Sequence, residues 1–240
     1  MKQQPVIESR GNAVVGWDKC TRHPYEDRFR LLCRPVPIVV SACRGELFSV
    51  CDGVGSAPKG MAAAQAVCDV LVRFYDDHKL PALAETIQEL LVRANDEIAG
   101  WGFIPGTDRS EGACAATVIW IDEANVAHIF HAGDTGAILI RDGVARALTS
   151  AQHLDGCLSN YFGLSELRLK CGKVKLEDGD RLLLFSDGIS KVLHNQRLAD
   201  IAESQTSRQT SVAALIRAAR VAGSTDDITV LLIDVENYEL

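Results

Sequence analysis

The chain has 240 residues, 47% hydrophobic and 24% charged, and its 32 Asp and Glu against 25 Lys and Arg give a formal net charge of -7. That length predicts one domain, residues 1–240, able to bury a sizeable core, and the acidic balance without a Lys/Arg block argues against nucleic acid as the main partner and towards something that binds cations. No run of about 20 apolar residues is present, and the N-terminal "MKQQPVIESRGN" lacks the apolar core of a signal peptide, so the expectation is a cytoplasmic protein with no membrane partner.

The first third reads as strands. "NAVVGWDKC" (12–20), "RFRLLCR" (28–34), "PIVVSAC" (37–43) and "ELFSVCD" (46–52) are short β-branched or apolar runs separated by Gly, Pro and Arg. Two helices are predicted next, over 58–78 and 81–100, from apolar residues at three-and-four spacing, with Pro81 near the second start. Strands return in "ACAATVIWI" (113–121), "NVAHIFHAG" (125–133), "TGAILIRDG" (135–143), "VARALT" (144–149), "LRLKCGKV" (167–174) and "DRLLLFSDG" (180–188), and "RDGV" predicts a tight hairpin. The end is an amphipathic helix over 209–222 followed by the buried strand "DITVLLIDV" (227–235). Strands, a helix pair, strands again, then helices and a last strand predict α+β layers with two helix-covered sheets. The eight cysteines form no Cys-x-x-Cys pair and are expected to be reduced core residues, not a zinc site or a disulfide frame.

Acids recur at the edges of the apolar runs: Glu26 and Asp27 in "YEDRF", Asp52 in "SVCDGVG", Asp134 in "HAGDTG", Asp187 in "LFSDGIS", and Asp226 with Asp227 in "STDDITV". A carboxylate at the rim of a core is costly, and several converging at one sheet end would repel one another unless cations intervene. Carboxylate oxygens without a His or Cys cluster suit Mg2+ or Mn2+ better than zinc. Cys51 and Cys114 lack the Cys-x5-Arg phosphate loop that a thiol phosphatase needs, and "GVG" at 53–55 is too short to indicate a nucleotide site.

Together and in this order, "RHPYEDRF", "VCDGVG", "GACAAT", "HAGDTGAILIRDG", "LTSAQH", "LLLFSDGI" and "STDDITVLLI" resemble the metal-dependent serine/threonine protein phosphatases of the protein phosphatase 2C class, from about Val14 to Asp234. The resemblance implies a four-layer α/β/β/α sandwich, two mainly antiparallel sheets flanked by helix pairs, with a centre for two Mg2+ or Mn2+ ions at one end. Carried over, Asp52 matches the acid that bridges both metals and Gly53 the glycine that offers a main-chain carbonyl. Asp187 and Asp226 match the acids completing one shell. Glu26 and Asp27 match the acidic pair near the other, acting partly through bound waters. Arg22 falls where the family binds phosphate, a task suited to a planar guanidinium fork. The implied activity is hydrolysis of phosphoserine or phosphothreonine by a water that the two ions activate, on a phosphorylated protein that is the target of a serine/threonine kinase. His23, beside Arg22, is a candidate acid for the leaving alkoxide.

Several departures stand out. The family's longer Gly/His-rich run after Asp-Gly is replaced by "DGVGSAPKG", and "DGCLSNYFGLSE" leaves a short, bacterial-type flap and a more open site. Asp227 stands where the family usually shows Asn, so it counts only as a candidate support for the ligands. Lys191, four residues after Asp187, stands where many relatives have another acid for a third metal; it is expected to pair with Asp134, the possible third-metal ligand, and to exclude that ion. Two other functions remain open: a catalytically weak, phosphatase-like regulatory binding module, and a metal-dependent phosphohydrolase acting on a non-protein phosphomonoester.

Overall fold

A computed structural model describes residues 4–107 and 109–236. In chain order the elements are β1 (Val6–Arg10), β2 (Ala13–Asp18), β3 (Arg28–Leu32), α1 (Pro37–Ala42), β4 (Glu46–Gly53), α2 (Gly60–Val70), α3 (Arg73–Asp76) and α4 (Ala84–Ala99). There follow β5 (Cys114–Ile121), β6 (Val126–Ala132), β7 (Gly136–Arg141), β8 (Val144–Ala147), β9 (His153–Leu154), β10 (Cys157–Leu158), β11 (Lys170–Lys175) and β12 (Arg181–Phe185). The chain then runs through α5 (Asp187–Ser190), α6 (Asn195–Glu203), α7 (Arg208–Val221) and β13 (Ile228–Asp234). One sheet has the order β1-β2-β13-β12-β7-β8, the other β11-β6-β5-β4-β3, and β9 and β10 form a small ribbon. All ladders are antiparallel.

Strand alternation builds the layers, because successive side chains point to opposite faces. On β4, Leu47 and Cys51 pack with α2 and α4 residues such as Val67 and Leu91, whereas Phe48 and Val50 face the other sheet and meet Leu184 and Leu231. On β12, Leu182 and Leu184 point between the sheets, and Leu183 and Phe185 pack under α6 and α7 against Leu198, Val212 and Leu215. Three apolar layers therefore separate four structural ones, the α/β/β/α arrangement expected. Phe48, fully buried between the sheets, carries much of the middle layer. Phe48→Ala is expected to cost about 3–5 kcal/mol, measured as a fall in the urea midpoint at unchanged m; a loss under 1 kcal/mol would show that the sheets collapse onto the gap.

Three local expectations need correction. "PIVVSAC" forms α1, not a strand: Pro37 occupies the first turn, Cys43 ends it in the left-handed region at φ 49°, and Ile38 and Ala42, one turn apart, pack on the same apolar cluster. Its β-branched composition suggested a strand. The helix expected over 58–78 starts at Gly60 and breaks between Val70 and Arg73. The late start reflects a close approach to β4, since a Cβ on Gly53 would lie 2.6 Å from the Gly60 carbonyl carbon. Strand β1 was not anticipated; it is an edge strand whose residues are mostly exposed. The "RDGV" hairpin joins β7 to β8 as expected, with Asp142 and Gly143 both at positive φ. Of the cysteines, Cys43, Cys157 and Cys171 are exposed and five are buried, none in a disulfide.

Candidate metal centre at one end of the sandwich

The alternation that fills the middle layer continues to the strand ends and changes character there. Asp52 follows Phe48 and Val50 in parity, Asp27 shares parity with Phe29 and Leu31, and Thr229 and Asp227 share it with Leu231 and Ile233. These polar groups therefore enter the inter-sheet space at one end. Asp187 arrives there as the first residue of α5, separated from the end of β12 by one residue, and Asp134 sits in the turn between β6 and β7.

The electrostatics reflect this convergence. Desolvation, followed by the charges of Asp27, Asp187, Asp134 and Asp226, pushes the Asp52 carboxyl well above the usual carboxylate range. Asp27 is buried and raised to about 7, again by desolvation first, with hydrogen bonds from Thr229 and Ser186 opposing and the Asp227 and Asp187 charges adding to the rise. The Thr229 hydroxyl donates to Asp27 Oδ2 at 2.6 Å, and the Tyr25 hydroxyl reaches Thr229 Oγ1 at 2.5 Å. Ser186 Oγ accepts from Thr229 N. This hydroxyl set escaped the sequence reading, although the alternation through "FSD" and "DITV" places Ser186 and Thr229 on the same inter-sheet face as the acids.

Glu26 is raised by desolvation; its Oε2 lies 3.4 Å from His23 Nδ1 and would lie 3.2 Å from a Cβ on Gly55, so its side chain reaches the turn just beyond Asp52. Arg22 is exposed and donates from Nη2 to the carbonyl (2.9 Å) and hydroxyl (3.2 Å) of Thr225, beside Asp226. Asp227 is buried and accepts the main-chain N–H groups of Cys20 (2.7 Å) and Glu26 (2.8 Å), which fastens the loop bearing Arg22. Arg220, also unanticipated, donates to Asp18 Oδ2 at 2.7 Å and to the main-chain carbonyl of Asp226 at 2.7 Å, holding the start of β13. A lone arginine late in an amphipathic helix carries no sequence signal for that task.

Lys191 departs from expectation. It follows α5 one turn after Asp187, and its ammonium lies 2.5 Å from Asp187 Oδ2 and 3.0 Å from Asp226 Oδ2. Asp134 pairs instead with His153 Nε2 at 3.2 Å. The helix turn directs the lysine stem across the two acids of the centre, while the ribbon of β9 and β10 brings His153 to Asp134. Burial raises the Asp187 carboxyl and the ammonium only partly offsets it; for Asp226 burial acts upward too, but Lys191 outweighs it and the net shift is downward. The ribbon's base is clasped to the β6–β7 turn, with Gln152 Oε1 accepting from Gly133 N at 2.8 Å and from Asn160 Nδ2 at 2.7 Å.

Mutually repelling carboxylates at the end of an apolar sandwich are a costly arrangement for the protein alone. A hard dication removes the cost, and a donor set of carboxylate oxygens beside the Gly53 main chain fits Mg2+ or Mn2+. Asp27, Asp187, Asp134 and Asp226 are all close enough to Asp52 to raise its carboxyl. Gly53 and Glu26 adjoin them.

The sequence profile of the family described as Protein phosphatase 2C matches residues 27–222. A rice protein, "Probable protein phosphatase 2C 32" from Oryza sativa subsp. japonica, is 25% identical, covering 80% of this chain and 58% of its own length. The protein phosphatase PhpP of Streptococcus pneumoniae is 37% identical over 74 residues, 31% of this chain and 30% of its own. The chain thus spans less than two thirds of either relative. Among solved structures, the catalytic domain of the serine threonine protein phosphatase PstP in complex with two manganese ions superposes with a TM-score of 0.77 at 22% identity, covering 94% of this chain and 98% of that one. The Streptococcus agalactiae serine/threonine phosphatase gives 0.75 at 19% identity, covering 96% and 100%. These likenesses are of fold.

Proposed function

Because the chain belongs to the protein phosphatase 2C family, we propose that residues 1–240 act as a single catalytic domain, a metal-dependent phosphoprotein phosphatase hydrolysing phosphoserine and phosphothreonine. The observation that carries this reading is the convergence of Asp52, Asp187 and Asp226 at one sandwich end, where burial and neighbouring acids raise the Asp52 carboxyl. Two Mg2+ or Mn2+ ions held by Asp52, Gly53, Asp187 and Asp226, with Glu26 and Asp27 beside them, would supply an activated water at neutral pH and charge neutralisation for the phosphoryl group. The chain's own residues do the rest. Asp52 projects from the end of a fully packed strand, so its carboxylate is fixed before substrate arrives. Thr229 holds Asp27 through Oδ2. Asp227 draws the 20–26 loop against β13 and so sets Arg22 at the rim. The guanidinium there suits the phosphoryl oxygens of a bound phosphoresidue.

The net charge of -7 disfavours a nucleic acid substrate. Among the described residues no helix is long and apolar enough to cross a membrane. On the strength of the family, we take the substrate to be a phosphorylated protein that a serine/threonine kinase has modified. The PstP relative with two manganese ions supports the metal assignment by analogy. Hydrolysis of p-nitrophenyl phosphate and of a phosphothreonine peptide is expected with Mn2+ and is expected to stop in excess EDTA. Turnover that survives the chelator would sink the metal reading. Preference for a nucleotide over the peptide would favour the non-protein phosphomonoester alternative, and binding without turnover the regulatory module.

Arg22→Ala is expected to raise KM for the phosphopeptide about tenfold with a smaller fall in kcat, because a charge-assisted grip on a phosphate already charged in the ground state is worth roughly 1.5 kcal/mol or more. Arg22→Lys should restore part of it. An unchanged kcat/KM in the alanine variant assigns Arg22 to fastening Thr225 alone.

A further inference from the structure

Beside the carboxylate centre lies a cluster of different chemistry. Cys20, His23 and Asp227 each offer a ligand atom, and these atoms all lie within 4.8 Å of one another. Cys20 and Asp227 are buried, and His23 is partly exposed. Asp227 takes the main-chain N–H of Cys20 on Oδ1 and that of Glu26 on Oδ2, so it draws both ends of the loop around the imidazole. The ring is ringed by acid: Nδ1 lies 3.4 Å from Glu26 Oε2 and 3.8 Å from Asp227 Oδ2, and Nε2 lies 3.7 Å from Asp226 Oδ1. A buried thiol, an imidazole and a carboxylate make a borderline-soft donor set, of the kind that suits Zn2+ and Co2+ and that Mg2+ does not use.

We propose that Cys20, His23 and Asp227 form a separate binding site for a borderline divalent metal of the zinc class, with solvent completing the shell, that clasps the loop carrying Arg22. Binding releases the thiol proton to solvent and leaves a thiolate–metal bond; no electrons move. The site is shaped before any ion arrives, because Asp227 already bonds both ends of the 20–26 loop and β13 fixes Asp227. It shares a wall with the carboxylate centre through Glu26 and Asp226, yet Cys20 and His23 lie outside the set assigned to the paired ions. An ion held by Cys20 and His23 would restrain Arg22, which lies between them in sequence.

The test uses Co2+ as probe on the full chain in saturating Mg2+, which occupies oxygen ligands and leaves thiols alone. One equivalent of Co2+ is expected to produce the sulfur-to-cobalt charge-transfer absorption of a thiolate ligand, and one equivalent of Zn2+ should bleach it. Cys20→Ser should abolish the band, and His23→Gln should weaken Co2+ binding at least tenfold, with circular dichroism verifying that both variants fold. Asp52→Asn should leave the band intact, so the result stands or falls separately from the phosphatase assay. No thiolate band at ten equivalents of Co2+ overturns the proposal. A band that persists in Cys20→Ser belongs to another cysteine and overturns it equally, and loss of the band in Asp52→Asn would reduce the site to the carboxylate centre.

Discussion

Asp52→Asn is expected to lower turnover at saturating Mn2+ by at least about 10²- to 10³-fold, the scale of removing one fixed charge-stabilising group from an active site, while the fold survives. The substitution keeps the side chain's volume and removes only charge. In the metal-free protein it should also raise the melting temperature. Asp52 sits where desolvation and the Asp27, Asp187, Asp134 and Asp226 carboxylates all disfavour its ionised form. An amide is relieved of those penalties. A gain of 1–2 kcal/mol would appear as several degrees, at about 2–4 °C per kcal/mol for a chain of this size. Added Mn2+ should reverse the ranking, because the wild type gains binding energy that the variant has lost. Scanning calorimetry of both proteins with and without Mn2+ reads all four values. Near-normal turnover in the variant would remove Asp52 from the centre, and a lower metal-free melting temperature would mean that its carboxylate is a net support of the fold. The pairing of lost activity with gained stability is the mark of a site held at the fold's expense.

Lys191→Asp is the second large effect. The ammonium spans Asp187 and Asp226, so under the proposed metal assignment it would compete, as a built-in cation, with a divalent ion for the same two carboxylates. Both partners and the lysine are partly exposed, which keeps the pair near the 1 kcal/mol scale of surface bridges; removing the ammonium should therefore strengthen Mn2+ binding about five- to tenfold. The new carboxylate adds a ligand one helical turn from Asp187, and with Asp134 it is expected to create a third ion site. Calorimetric titration should change from two bound ions to three, and the rate should acquire a further rise at high Mn2+. Lys191→Met, neutral and of similar length, separates the effects: tighter binding without the third ion. Identical titrations for wild type and Lys191→Asp, or a third ion already bound by Asp134 in the unmutated protein, would falsify the competition argument.

Much of the fold was legible because it rests on periodicity. The strands from 113 to 149, the "RDGV" hairpin and the final "DITVLLIDV" are alternating or wholly apolar runs bounded by turn residues, and all are strands in the structure. "PIVVSAC" misled because the six-residue helix it forms is too short for a period to show, so β-branched composition outweighed the Pro at its start. β1 was silent for the opposite reason: an exposed edge strand buries too little to leave an apolar pattern. The acids themselves were legible one by one, since each lies at the edge of an apolar run, and their order in the chain carried the resemblance to the family.

What the sequence determined by itself, then, was which residues could meet: strand parity directs Asp27, Asp52, Asp227 and Thr229 to the inter-sheet face, and the apolar runs they adjoin set how far along it they stand. Which of them do meet, and in what pairs, only the tertiary structure decided. Lys191 lies across Asp187 and Asp226, not beside Asp134, because the first turn after β12 points its stem that way and the β9–β10 ribbon delivers His153 to Asp134. Arg220 and Asp18, 202 residues apart, join to hold the carbonyl of Asp226. Side-chain reach is several ångströms, and its direction depends on elements packed from distant parts of the chain; no local period encodes that, so pairing between long charged side chains is settled by packing alone.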